Sequence, residues 1–294
     1  MNGRKLISHG ELLVVAIIWG ATFVAAKYAL QTLNPVSLAA IRFLISSILF
    51  LPIIYRERKK GNSIEKKDRK TVVVLGLLGV TFFYLFQFLG LEYTTATNVS
   101  LLIALIPLFT SGLSVKLLEE KFEPKRIAGI MASLIGAGIV ITNGKLNIST
   151  RINDLIGAGF IMTNIICWSF YTVIGKKILK KYPSRVVTAH SVVWGTVFLI
   201  PITLIWGNAA EVVEMNLSSW GSVLYLGVFG SFLAYLLWYD GLKWITASSA
   251  SSFIYLQPLV TIVVAHFWLG EPITLYVIAG GLLITGGVYF AAER

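Results

Sequence analysis

Five side chains that carry, or can carry, positive charge stand inside otherwise apolar stretches of this sequence: Lys27, Arg42, Lys176, His190 and His266. A charge in apolar surroundings is expensive, so each needs a partner, a route to water or a task. Lys27 and Lys176 lie about one turn from the end of their stretches, where a lysine stem reaches the polar boundary. Arg42 lies about 9 Å into its stretch at 1.5 Å per residue, and its planar fork matches a carboxylate through two hydrogen bonds. His190 and His266 are suited either to bonding within a core or to carrying protons. The carboxylates Glu92, Asp240, Glu120 and Glu271 all fall at stretch ends, so none is placed for a proton or sodium relay at mid-depth. Glu120 and Glu271 each precede a further apolar segment, where a carboxylate favours the positive end of a helix; the alternative is a gate charge that closes against basic residues.

Aromatic and amide side chains give the second set. Trp19, Phe23 and Trp168 sit in mid-stretch, away from the interfacial positions where tryptophan is an ordinary anchor. Tyr84 and Gln87 are one turn apart, as are Tyr235 and Trp238, with Tyr239 adjacent. Asn98, Tyr255 and Gln257 complete the set. A buried amide must find a partner, so these residues are expected to line a cavity for a small solute or to bond between helices. No zinc, serine-hydrolase or phosphate-loop motif occurs. No catalytic group, metal or cofactor is expected, and the single cysteine, Cys167, allows no disulfide.

Composition dictates the elements that hold these residues. Of 294 residues 56% are hydrophobic and 13% charged, and the mean hydropathy is +0.78. Soluble domains carry about 25% charged residues, so a soluble globular fold is excluded. At roughly 20 residues per membrane helix the chain holds ten spans, at residues 11–31, 36–55, 71–91, 95–117, 125–143, 154–178, 185–206, 219–242, 248–269 and 273–291. Pro35, Pro124, Pro183 and Pro272 stand where helices begin, a position that tolerates the missing N–H. The fold class is therefore an all-α polytopic membrane protein.

Lys and Arg cluster at the N-terminus and in the loops after the second, fourth, sixth and eighth spans, while the remaining loops hold only Lys145 and Arg151. The positive-inside rule then puts both termini in the cytoplasm, with the protein in the cell (inner) membrane. Topology thus accounts for the formal charge of +11, and no nucleic-acid partner is needed. The partners expected are the lipid bilayer and a small-molecule substrate.

Sliding the chain against itself exposes a repeat. At an offset of 151, residues 72–120 match residues 223–271 at 18 of 49 positions, including Gly76/Gly227, Gly79/Gly230, Tyr84/Tyr235, Pro107/Pro258 and Glu120/Glu271. WGATFVAAK at 19–27 lies over WSFYTVIGK at 168–176. Two five-helix units result, residues 1–146 and 147–294. Five is odd, so the second unit enters the membrane upside down. A fold that nearly superposes on its own inverted copy has two conformations of similar energy, one open to each side.

The tryptophan in each first helix, the TTATNVSLLIALIPLFT and ITASSASSFIYLQPLVT segments and the LLEE and WLGE endings resemble the EamA-like family of the drug/metabolite transporter superfamily. The resemblance implies a ten-helix secondary transporter with a cavity lined by helices 1, 3, 4, 6, 8 and 9, helices 5 and 10 being peripheral. The expected function is alternating-access transport, as an exporter, of small polar metabolites such as amino acids. The alternatives are uptake or efflux of organic cations and amines, and a membrane-embedded transferase. Small residues at Ala128, Ala132, Gly136, Gly280, Gly281, Gly286 and Gly287 suit close helix contacts, within a monomer or across a weak homodimer. The topology is checked by cysteine labelling in a Cys167→Ser background: Asn62→Cys should react only from the cytoplasm and Asn147→Cys only from outside, and reaction of both from one side refutes it.

Overall fold

In the computed structural model, which describes residues 3–93, 102–121, 123–142, 152–269 and 273–291, the described residues are almost entirely helical and contain no strand. They form ten rods. In the first half α1 is Gly3–Ala29 and α2 is Pro35–Lys59. α3 joins Arg69–Gly76, a π-helical turn at Leu77–Phe82, and Phe83–Tyr93. α4 is Ile106–Leu118 and α5 is Pro124–Thr142. In the second half α6 is Ile152–Ile178 and α7 is Ser184–Trp206. α8 joins Leu217–Tyr225, a π-helical turn at Leu226–Leu233, and Ala234–Trp244. α9 joins Ala247–Ser252, a 3-10 turn at Phe253–Leu256, and Gln257–Leu269, and α10 is Leu275–Ala291. Eight rods are long and apolar enough to cross a membrane, while α4 and α10 are shorter apolar helices.

Caps fix the starts of several rods. The Asn34 side chain accepts from the Ser37 amide at 2.8 Å ahead of α2, with Pro35 in the first turn. Asn216 does the same for α8 through Ser219, at 2.8 Å. Each satisfies a backbone donor that the helix itself leaves open. Laterally, α1 packs on α8 and α9, α2 on α7, α3 on α6 and α7, and α4 on α6. α5 and α10 pair with each other at the side of the bundle, as the resemblance implies. Their approach is close: a Cβ at Gly136 would lie 2.7 Å from the Gly280 carbonyl oxygen, and one at Gly287 2.5 Å from that of Gly129. Gly136, Gly280 and Gly287 of the small-residue stripe are thus used within the chain.

The rod ends rich in Lys and Arg, here the basic end, are tied together by two ions whose roles differ from the sequence expectation. Lys176 does not extend toward a headgroup. Its ammonium donates to the carbonyls of Leu242, Lys243 and Ile245 at 2.7, 2.9 and 2.6 Å, which places a cation on the negative end of α8. Among the described residues Glu120 neither caps α5 nor meets a basic side chain. Glu119 adopts a left-handed conformation, φ 56°, which turns the chain after α4 and aims Glu120 at the start of α9. Its carboxylate accepts from the amides of Ala247 and Ser248 at 2.7 and 3.3 Å and from the hydroxyls of Ser248 and Ser114 at 2.8 and 3.0 Å. The reason is geometric, since the first amides of α9 are unsatisfied donors at the positive end of a helix. Glu271, its repeat mate, lies outside the described residues.

Charge-assisted hydrogen bonds are worth about 1.5–3 kcal/mol, so Glu120→Gln should weaken this closure. A cysteine placed on the α4–α9 seam at Ser111, which reaches Ser248 across it but does not bond Glu120, is expected to become at least tenfold more reactive from the basic end, and an unchanged rate would show that the cap does not hold the seam.

Candidate functional site

A cavity of about 130 Å3 lies at the centre of the bundle. It runs from Trp19 and Trp168 at mid-span to Ala26, Leu30 and Leu38, near the end where α1 hands over to α2. It is small beside the roughly 300–1,000 Å3 of ordinary ligand pockets, so its scale is that of a compact solute. The wall is mainly apolar and aromatic, with Phe23, Phe83, Tyr84, Phe88, Ile103, Ile106 and Ile254. Its polar groups are Thr22, Arg42, Gln87 and Gln257, and no carboxylate lines it among the described residues.

Arg42 is 5% exposed. Its Nε donates to Ser231 Oγ at 2.8 Å, and the guanidinium lies 4.8 Å from the ring centre of Tyr84 and 5.3 Å from that of Phe43. These contacts engage the fork only partly, because a guanidinium has five N–H donors and ring faces accept weakly.

Beneath the cavity, toward the basic end, aromatic side chains form a plug. Trp19 touches Trp168, Trp238 and Tyr235 with ring centres 5.2, 5.5 and 5.9 Å apart. Tyr171 stacks on Tyr239 at 4.8 Å, and Tyr239 donates to the Tyr171 carbonyl at 3.1 Å. The π-helical turns of α3 and α8 supply acceptors to this cluster. Tyr235 donates to the Gly79 carbonyl at 2.7 Å, and Trp19 Nε1 donates to the Gly230 carbonyl at 3.0 Å. Gly79 and Gly230 are repeat mates. Trp168 Nε1 and Trp238 Nε1 are buried without a hydrogen-bond partner among the described residues.

Of the residues picked out from sequence, Trp19, Phe23, Arg42, Tyr84, Gln87, Trp168 and Gln257 stand on the cavity wall. Tyr235, Trp238 and Tyr239 are in the plug behind it, each at most 1% exposed. Lys27 is exposed and Lys176 caps α8, so neither contributes to the wall. Tyr255 is turned away, into a cluster with Ile130, Val140 and Ile284 on the α5–α10 side. The 3-10 turn at Phe253–Leu256 changes the helical phase, so that Ile254 and Gln257 face the cavity instead. His190 lies at the basic end, its Nδ1 2.9 Å from the Val186 carbonyl oxygen, and His266 lies against Phe267 in the last turn of α9. Neither lines the cavity. Asn98 is outside the described residues. Sequence reading missed Phe83 and Ser231, and it missed the two π-helical turns, whose signal was the glycine pair shared between the halves.

The EamA-like transporter family matches the chain twice, over residues 10–142 and 155–292. A relative in Archaeoglobus fulgidus, named an uncharacterized transporter, is 32% identical over 294 residues, covering 100% of this chain and 99% of its own. The uncharacterized transporter YyaM of Bacillus subtilis is 33% identical over 282 residues, covering 96% of this chain and 92% of its own. A solved crystal structure shares the fold with a TM-score of 0.83 at 19% identity, over 99% of this chain and 96% of that one. With both halves matched and the rods built to cross a bilayer, the chain belongs to the EamA-like transporter family and is a multi-pass membrane transporter.

Proposed function

We propose that this transporter moves a small carboxylate-bearing metabolite, such as an amino acid, by alternating access between its two halves, with export as the net direction. The observation that carries the substrate class is Arg42, a buried guanidinium on a cavity wall that among the described residues offers it no carboxylate. A solute carboxylate supplies the missing anion in bidentate geometry, and the aromatic wall accepts the apolar remainder. The rival reading, an organic cation, is favoured by the ring faces of Trp19, Tyr84 and Trp168, which attract cations, but it sets the solute's charge beside that of Arg42.

Alternating access is supported by an asymmetry between repeat mates. Tyr84 and Gln87 face the cavity, while their mates Tyr235 and Trp238 are sealed in the plug. Trp19 bonds the Gly230 carbonyl, while its mate Trp168 has no partner among the described residues and Gly79, the mate of Gly230, is held by Tyr235. Inverting the roles of the halves pairs Trp168 with the Gly79 carbonyl and Tyr84 with that of Gly230. Each state then satisfies one tryptophan and leaves the other unpaired, which keeps the two states close in energy.

Two expected outcomes follow. Arg42→Gln should weaken binding of the transported carboxylate at least tenfold in proteoliposomes, and amino-acid amides and decarboxylated amines should compete poorly. Equal competition by the amines, with affinity unchanged in Arg42→Gln, refutes the carboxylate reading. A neutral hydrogen bond is worth about 1 kcal/mol, so Trp19→Phe should shift the conformational ratio about fivefold away from the state described, and Trp168→Phe about fivefold toward it. Side-specific labelling of a cavity cysteine reads the ratio, and shifts of the same sign in both variants refute the exchange.

A further inference from the structure

Where α2 ends and α3 begins, at the basic end, the carboxylates Glu57, Glu65 and Asp68 are already engaged. Glu57, with a side chain 4% exposed, holds Lys60 and Arg185 at 3.1 Å each, and it accepts from Asn62 at 2.8 Å. Asp68 holds Lys181 at 3.0 Å and Tyr182 at 2.8 Å, and Glu65 holds Lys67 at 2.7 Å. Arg58 and Arg69 are left out of this network, with no ion pair or side-chain hydrogen bond among the described residues. Both instead line one cavity of about 430 Å3 together with His190. His190 Nδ1 is occupied by the Val186 carbonyl, which leaves Nε2 as the ring's remaining polar atom. The same cavity has apolar walls from Ile54 and Val72, and Trp194 at its edge is 41% exposed. No carboxylate lines it among the described residues.

Two guanidinium groups and an imidazole gathered without a counter-charge are the chemistry that binds a phosphate group. The position selects the source of that phosphate. The cavity lies where the end of α2 and the start of α3 pack on the first half of α7, so that apolar rods meet the charged loops there. Basic pockets between membrane helices suit anionic lipid headgroups, and half-buried Ile54 with exposed Trp194, eleven residues into α7, continues the site along the rods where acyl chains lie. We propose that this cavity is a binding site for the phosphate of an anionic phospholipid, set between α2 and α7 and separate from the central solute cavity.

The test uses the full-length protein in nanodiscs of phosphatidylcholine, with or without about a fifth of phosphatidylglycerol. Lipid retained in native mass spectrometry and the thermal midpoint are the readouts. Phosphatidylglycerol should be retained in preference to phosphatidylcholine and should raise the midpoint. Arg58→Gln with Arg69→Gln should lower that retention about thirtyfold, the surface attraction of one charge for each residue removed. Lys66→Gln with Lys70→Gln removes equal charge from the same loop outside the cavity and should leave retention unchanged. Equal loss in both double variants means general surface charge and overturns the site. Inorganic phosphate at about 10 mM in phosphatidylcholine discs should leave the midpoint unchanged; if it stabilises wild type but not the arginine variant, the ligand is a soluble anion and the lipid assignment fails. If the arginine pair does not fold, Arg69→Gln alone carries the same comparison, and unchanged retention there overturns the proposal.

Discussion

Inside a bilayer, a backbone carbonyl that lacks its full helical partnership has no water to turn to. α3 and α8 each widen into a π-helical turn at the centre of the bundle, and a carbonyl in each turn is met by a side chain from another part of the chain. Tyr235 of α8 meets Gly79, and Trp19 of α1 meets Gly230. These bonds fix which helices touch at the core. They bring the large rings of α1, α6 and α8 into one cluster and seal the bundle beneath the cavity. The cap of Glu120 on α9 is the same constraint at a rod end, with the orphan groups now amides and the donor and acceptor roles reversed.

Much of this architecture was legible because membrane insertion writes it coarsely. Span length, proline at helix starts and the clustering of Lys and Arg follow from transfer free energies that act on whole segments, and the repeat survives as shared glycines and prolines. Seven residues chosen from sequence stand on the cavity wall for a related reason, since a tryptophan, glutamine or arginine at mid-depth has few other uses. What was not legible depends on sub-turn geometry. A 3-10 turn of four residues rotates Tyr255 from the cavity to the α5–α10 side. One left-handed residue, Glu119, redirects Glu120 from the helix that follows it to a helix more than 120 residues away in the chain. Neither event changes composition or periodicity enough to be read in advance.

The two halves share a sequence pattern but not a set of contacts. Trp19 is bonded and Trp168 is not; Tyr84 faces the cavity and Tyr235 is sealed. A symmetric arrangement would leave both tryptophans in the same condition. The difference between mates is therefore information about conformation that no comparison of their sequences contains, and it locates the polar bonds that change hands if the halves trade places.

The chemical neutrality of that core has an electrical consequence. The groups that distinguish the mates are indole N–H, phenol O–H and peptide carbonyl, all uncharged, and among the described residues the cavity wall carries one formal charge, that of Arg42. Moving a unit charge through a membrane potential is worth about 2.3 kcal/mol per 100 mV, whereas rearranging neutral hydrogen bonds couples to the field only through small dipoles. On the proposed exchange between the halves, rearrangement of these neutral groups would be close to electrically silent, and the current that accompanies a transport cycle would report the charge of the solute together with the displacement of Arg42.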